Sequence, residues 1–196
     1  MNYYISDLHL FHKNVTGEGK RNFDNRPFKT VEEMHESILN NWNKTVSNAD
    51  HVYILGDVAM RGNMDEVIAF VSQLRGNKHL IVGNHDNTKD QRYRQLFVEN
   101  CNYKELTDSI DGKTYNLVLC HYPIMFWNHQ HRGSVHLYGH VHNSVEETMY
   151  QGYLRQINDA LRDRNEPMAI AKNVGCMMKY MDYTPRTLKE ILGNVH

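Results

Sequence analysis

Five stretches of the chain end an apolar run on groups that bind metals or move protons. They are Asp7-Leu8-His9, Gly56-Asp57, Gly83-Asn84-His85-Asp86, Cys120-His121 and Gly139-His140-Val141-His142. Any one of them alone is also an ordinary polar turn, since Gly, Asn and Asp are common turn residues. Together they offer imidazole nitrogens, carboxylate oxygens and an amide oxygen, with no thiolate. That donor set suits Mn, Fe, Ni, Co or Zn better than an all-oxygen Mg or Ca site. Leaving His85 aside, Asp7, His9, Asp57, Asn84, His121, His140 and His142 are too many ligands for one ion and enough for two. A carboxylate can bridge two ions, and Asp57 stands alone at its strand end as a bridge would. Two ions about 3.5–4 Å apart can share a hydroxide and clamp the oxygens of a phosphoryl group. Residues two apart in an extended segment point to one side, so Asp7 with His9, and His140 with His142, are each expected to form a paired claw.

Such groups need a scaffold that carries distant strand ends to one edge. The pattern predicts strands over 3–6, 51–55 and up to Val82, alternating with helices. The first helix opens on the capping pair Thr30 and Glu33 and buries Met34, Ile38, Trp42 and Val46. The second opens on Asn63 and Glu66, buries Val67, Phe70, Val71 and Leu74, and closes at Gly76. A third is expected over about 89–98. This alternation indicates a layered α/β fold, in which ligands gather at the carboxyl ends of the strands. Further strands are expected over 115–120, 135–138, 168–174 and 176–181. A helix over 145–164 reads as an insert, and Pro185 is expected to start a final helix that turns Leu188, Ile191 and Leu192 inward. Residues 10–29 have no clean period and read as a long loop beside the first strand end. No repeat, low-complexity segment or linker divides the chain, which is expected to form a single domain over 1–196.

The five motifs, in this order and spanning residues 7–142, resemble those of the calcineurin-like metallophosphoesterases. The Asp-Leu-His-Leu-Phe-His-Lys-Asn stretch at residues 7–14 is similar to the small single-domain bacterial and phage members. The resemblance implies an α/β/β/α sandwich of two mixed sheets flanked by helices. It also implies that Asp7, His9 and His142 hold one divalent metal and that Asn84, His121 and His140 hold the other, with Asp57 bridging. His85 then corresponds to the catalytic histidine, protonating the leaving oxygen or stabilising the phosphoryl charge. The implied activity is dinuclear-metal phosphoester hydrolysis with a bridging hydroxide as nucleophile, on phosphodiesters rather than monoesters, with Mn as the foremost metal. A nuclease or nucleotide phosphatase of the same fold is the alternative. A non-catalytic scaffold is disfavoured because every ligand position and His85 are present.

The chain holds 13 histidines, and the rest need plainer readings. His35, His51, His79 and His196 are expected to be structural or on the surface, and His136 to be a core or surface residue. His12 and Arg26, with Asn14, lie on the loop leaving the first motif and are candidates for contacting substrate phosphate, Arg being suited to paired oxygens. Tyr122, Phe126 and Trp127, near His129, His131 and Arg132, either stack on a base or aryl ester or pack their own loop. Asp86 follows His85 but adjacent strand residues point apart, so it is expected to shape the turn.

The 196 residues carry a formal net charge of −1, which argues against tight duplex nucleic-acid binding. The local cations Lys13, Lys20, Arg21, Arg26 and Lys29 leave a small nucleotide-like phosphoester possible as substrate. No stretch has the length and apolarity of a membrane span, and the first residues lack a signal-peptide pattern. Three widely spaced cysteines suggest no disulfide framework. The expectation is a cytoplasmic protein.

Overall fold

The computed structural model describes residues 1–193, and the expectation for His196 lies outside them. Four strands, β1 (Asn2–Ile5), β2 (His51–Ile54), β3 (Asn77–Ile81) and β4 (Glu99–Cys101), form one sheet in that order. Every pairing in it is parallel. The crossovers are helices α1 (Val31–Thr45), α2 (Met64–Val71) and the single turn α3 (Gln91–Arg94), because a parallel partner can be reached only by a long return path. The second sheet runs β5 (Tyr103–Ile110), β6 (Lys113–Cys120), β7 (Val135–Tyr138) and β8 (Ile170–Asn173). Here β5 and β6 are antiparallel, and the β6–β7 and β7–β8 pairs are parallel. The layered α/β/β/α architecture is therefore present, with strand directions mixed in the second sheet and uniform in the first.

The pleat sorts the layers. Leu117, Leu119, Val135 and Leu137 join the main core with Ile5, Ile54 and Leu80, between the sheets. Their neighbours Val118 and Tyr138, with Ala171, face the other way, as a period of two requires. That outer face is covered by Tyr150, Leu154 and Leu161 of α4 (Val145–Asp163). The helix starts follow local chemistry: Thr30 accepts from the Glu33 amide, Asn63 and Glu66 cap each other reciprocally, and Ser144 accepts from the Glu146 amide. The last helix, α5 (Leu188–Gly193), buries Leu188 and Ile191 and turns Leu192 partly inward. No helix among the described residues is long and apolar enough to cross a membrane.

Two expected elements fail, and one strand was not expected. The helix over 89–98 shrinks to one turn, because the Val98 amide binds the Lys78 carbonyl and the chain rejoins the first sheet as β4. Residues 176–181 form successive turns rather than a strand, with Met178 N–H donating to Gly175 and Met181 N–H to Met178. Strand β5 carries no apolar run. It is an edge strand paired on one side only, partly exposed along its length, and such antiparallel edges read as polar. The Asp111-Gly112 turn that joins it to β6 takes positive φ at both residues, a known hairpin signal.

Candidate metal centre

The two sheets meet where their strands end. The Ser6 amide donates to Val174 and the Cys176 amide to Ser6, which ties the end of β1 to the end of β8. Within the second sheet, the Gly139 amide donates to the His121 carbonyl and holds the ends of β6 and β7 together. This seam gathers two groups of possible metal ligands, Asp7 with His9 and His142, and Asp57 with His121 and His140. In each group the donor atoms lie within 4.8 Å of one another. Asn84 joins the second group, its Oδ1 3.1 Å from His121 Nε2.

The backbone achieves this by leaving the pleat. Asp7, His9, Asp57, His140 and His142 all have positive φ, between 49° and 70°. Non-glycine residues seldom adopt that region, and clusters of them mark sites where surrounding structure holds strain. The paired-claw expectation is thereby corrected. Asp7 and His9 do share a group, but through two left-handed turns. His140 and His142 are split between the groups, because neither is extended. Gly83 and Gly139 precede ligands and leave no room for a side chain. A Cβ on Gly83 would collide with Asp57 Oδ1, and one on Gly139 with Asp7 Oδ2 and Ser6 Oγ.

Within the site the donors converge without protons enough to satisfy them. The His121 ring donates from Nδ1 to the Leu55 carbonyl at 2.7 Å, so in the neutral ring its Nε2 presents a lone pair. That lone pair faces another acceptor, the Asn84 Oδ1. His142 likewise donates from Nδ1 to Asp24 at 2.8 Å, and its Nε2 lies 3.0 Å from His9 Nε2. His9 Nδ1 is buried with no hydrogen-bond partner. Asp7 Oδ1 stands 3.8 Å from His142 Nε2 and 4.0 Å from His9 Nε2. Ligands about 2.1 Å from one ion lie roughly 3–4 Å from each other, so these residues fit a divalent cation in each group. Asp57 lies between the groups, with Oδ2 3.7 Å from His9 Nε2 and Oδ1 3.6 Å from His121 Nε2.

The electrostatics follow the same division. Burial pushes the Asp7 carboxyl up in pKa, against the pull of His142 and His121. Burial moves His9 well down, helped by the neighbouring His142 and Arg26 charges. Burial also works against charge on His142, but its hydrogen bond to the Asp24 carboxylate, with Asp7 beside it, outweighs burial and moves His142 up. His140 is lowered by burial and by His121.

Asp24 escaped notice in the sequence, where it is one polar residue of a patternless loop. Its carboxylate holds His142 on one oxygen and Arg26 on the other, at 2.7–2.8 Å. Arg26 is only 2% exposed. It spends its remaining donors on the Asp7 and Leu8 carbonyls at 2.8 Å and on the Met34 sulfur. The guanidinium is thus an internal strut that braces the first motif, in place of the expected phosphate contact. Asp86 has a comparable task. It accepts from the amides of Asp57, Val58 and Gly83 and from the Tyr93 hydroxyl at 2.6–3.0 Å, so it shapes the turn.

His85 is exposed, its amide donating to Asp57 Oδ1 at 2.9 Å and its ring 5.7 Å from that of His9. With Arg61, Asn87 and Tyr93 it lines a cavity of about 160 Å³. Arg61 is a second residue the sequence reading missed. It lies four residues after Asp57 on an exposed loop, and its charge helps burial to lower the pKa of His12. His12 is 5% exposed, its ring 6.0 Å from that of His9. Four further histidines are structural: His35 accepts from the Phe11 amide, and His51, His79 and Glu99 form a hydrogen-bonded chain. His136 donates to Val118 and accepts from Ile124. Trp127 packs its own loop, buried with Nε1 donating to Ser134.

The calcineurin-like phosphoesterase family matches residues 3–168, a span that includes every residue of both groups, and the chain belongs to that family. It is 39% identical over 85 residues to an uncharacterized protein of Methanocaldococcus jannaschii, a match covering 43% of this chain and 46% of that one. It is 33% identical over 86 residues to the gene 66 protein of Mycobacterium phage L5, covering 43% of this chain and 39% of the other. The corresponding protein of phage D29 is 25% identical over 166 residues, covering 73% and 79%. The matches thus span less than half the length of the first two relatives. A crystal structure of a protein of unknown function from Aquifex aeolicus shares the fold, with a TM-score of 0.64 and 23% identity over 100% of this chain and 99% of that one. Membership supports a metal-dependent phosphoesterase, and the two Asp/His groups are able to bind its metals.

Proposed function

We propose that the protein is a two-metal phosphodiesterase. Asp7, His9 and His142 hold one divalent ion, Asn84, His121 and His140 hold the other, and Asp57 bridges them. The observation that carries this reading is the Asp57 carboxylate, which turns one oxygen toward each group. When bound, two such ions supply Lewis acidity toward phosphoryl oxygens and an acidified water. The donor set suits Mn, Fe, Ni, Co or Zn, and the family resemblance puts Mn foremost.

The chain's own groups supply the rest. His85, exposed beside Asp57, gives its proton to the leaving ester oxygen. Arg61, which lines the His85 cavity, pairs with a non-bridging phosphoryl oxygen, and His12 also contacts the phosphoryl group. A single guanidinium balances a diester monoanion better than a monoester dianion, which supports the diester preference. The strut Arg26–Asp24 keeps His142 in the Nδ1–H tautomer, with Nε2 free to ligate.

The test combines metal analysis of protein prepared without chelator with hydrolysis of an aryl diester and the matching aryl monoester after Mn addition. The expected result is about two metals per chain and a higher kcat/KM for the diester. Faster monoester turnover would overturn only the diester preference. No bound metal and no turnover of either ester would overturn the whole reading.

A further inference from the structure

Two aromatic side chains are left open to solvent against the ligand histidines. Phe23 is 53% exposed, with its ring 5.6 Å from that of His142 and 5.9 Å from that of His12. Tyr122 is 44% exposed, with its ring 4.5 Å from that of His140 and 5.0 Å from that of His121. One ring therefore borders each ligand group. Exposed aromatics scattered singly over a surface need no explanation, but here both large faces stand at the edge of one polar site. The other exposed aromatic of the Tyr122 loop, Phe126, already packs edge-on against Tyr153, at 5.9 Å. Phe23 is carried there by the loop that also carries Asp24, and its amide donates to the Asn14 carbonyl. The segment that braces His142 from behind thus presents a ring in front of it. Tyr122 directly follows His121, so its place is tied to that ligand.

We infer that Phe23 and Tyr122 are specificity-determining walls that receive a flat ring, a nucleobase or an aryl group, on the organic part of the phosphoester. This rests on the phosphodiesterase reading for the position of the phosphorus and adds the class of substituent attached to it. A phosphoryl group held between the two ligand groups would direct its ester substituents outward, past His142 on one side and past His140 on the other. A flat π-face stacks on an aromatic side chain with little regard to which base it is. A short alkyl or bare sugar substituent finds no matching surface there. The chain's near-zero net charge suits recognition of a small substrate by stacking rather than by a long phosphate track.

Binding separates this inference from turnover. Calorimetry on Mn-loaded protein would compare adenosine 5′-monophosphate with ribose 5-phosphate, which differ only in the base. The wild type is expected to bind the nucleotide about 5- to 150-fold more tightly, the range that stacking supplies. Because the probe carries one base, Phe23→Leu or Tyr122→Leu should shrink that ratio according to which ring the base lies on, and Phe23→Tyr and Tyr122→Phe should retain it, since a ring remains. A wild-type ratio near one overturns the inference, as does an unchanged ratio in both leucine variants with full metal content. A ratio that depends on the rings in a protein that hydrolyses no phosphoester would uphold the walls while sinking the proposed reaction.

Discussion

The two ligand groups are built differently, although each contains one aspartate and two histidines. The Asp7 group is braced by charge: His142 leans on Asp24, Asp24 on Arg26, and Arg26 on the carbonyls of Asp7 and Leu8. Asp7 is fully buried and His9 is 2% exposed. The Asp57 group is braced by backbone. His121 leans on the Leu55 carbonyl, and the loop under Asp57 hangs on Asp86. Its remaining members, Asn84 and His140, are exposed and half-buried. A charged brace fixes ring orientation and raises ligand basicity more than a carbonyl does. The first group should therefore hold its ion more tightly, and the second should exchange ion and substrate more readily.

The largest expected effect comes from the residue the groups share. Asp57→Ala should release metal from both groups and drop diester turnover to background. Equal metal content in variant and wild type would break the bridging assignment. Next is His85→Ala, which should lower kcat by about 10²- to 10⁴-fold with both metals retained, because His85 lies outside both groups. Loss of metal in that variant would move His85 from proton donor to ligand. Asp24→Ala sharpens the contrast directly. It should weaken the first ion by about 10- to 100-fold and leave the second unchanged, read as two steps in a metal titration. Parallel weakening of both steps would show that the braces are not separate.

The effect that leaves metal binding and turnover untouched concerns a histidine in neither group. His136 is fully buried and satisfied as a neutral ring by Val118 and Ile124, and burial lowers its pKa to about 4. Its unfolded pKa is near 6.5, so the unfolded chain binds the extra proton first as pH falls. Stability should be intact above about pH 6.5 and fall by about 3 kcal/mol as the pH drops from there to about 4. His136→Asn should flatten that part of the slope in a denaturation series. An unchanged slope would assign the acid sensitivity elsewhere.

Much of the frame is local chemistry and could be read along the chain. The helix caps at Thr30 and Asn63, the buried stripe Met34-Ile38-Trp42 and the apolar runs before each motif depend on residues a few positions apart. The motif residues themselves are also legible, because imidazole, carboxylate and amide are what a borderline divalent metal needs wherever they stand. The edge strand β5 was hidden because pairing on one side imposes no apolar alternation. The helix expected over 89–98 stops after one turn because the Lys78 carbonyl takes the Val98 amide, a contact across 20 residues.

What the sequence by itself determined is therefore which groups could do the chemistry and which runs would bury themselves. How the groups divide was implied by the family resemblance, but only the tertiary structure decided how the backbone achieves it. His140 and His142 parted because their backbone turned left-handed at a seam between two sheets. Arg26 was drawn inward because Asp7 and Leu8 offered it carbonyls there, and Asp24 became the brace of a ligand more than 100 residues away. Such assignments depend on where strands far apart in sequence end relative to one another, and no local spacing encodes that distance.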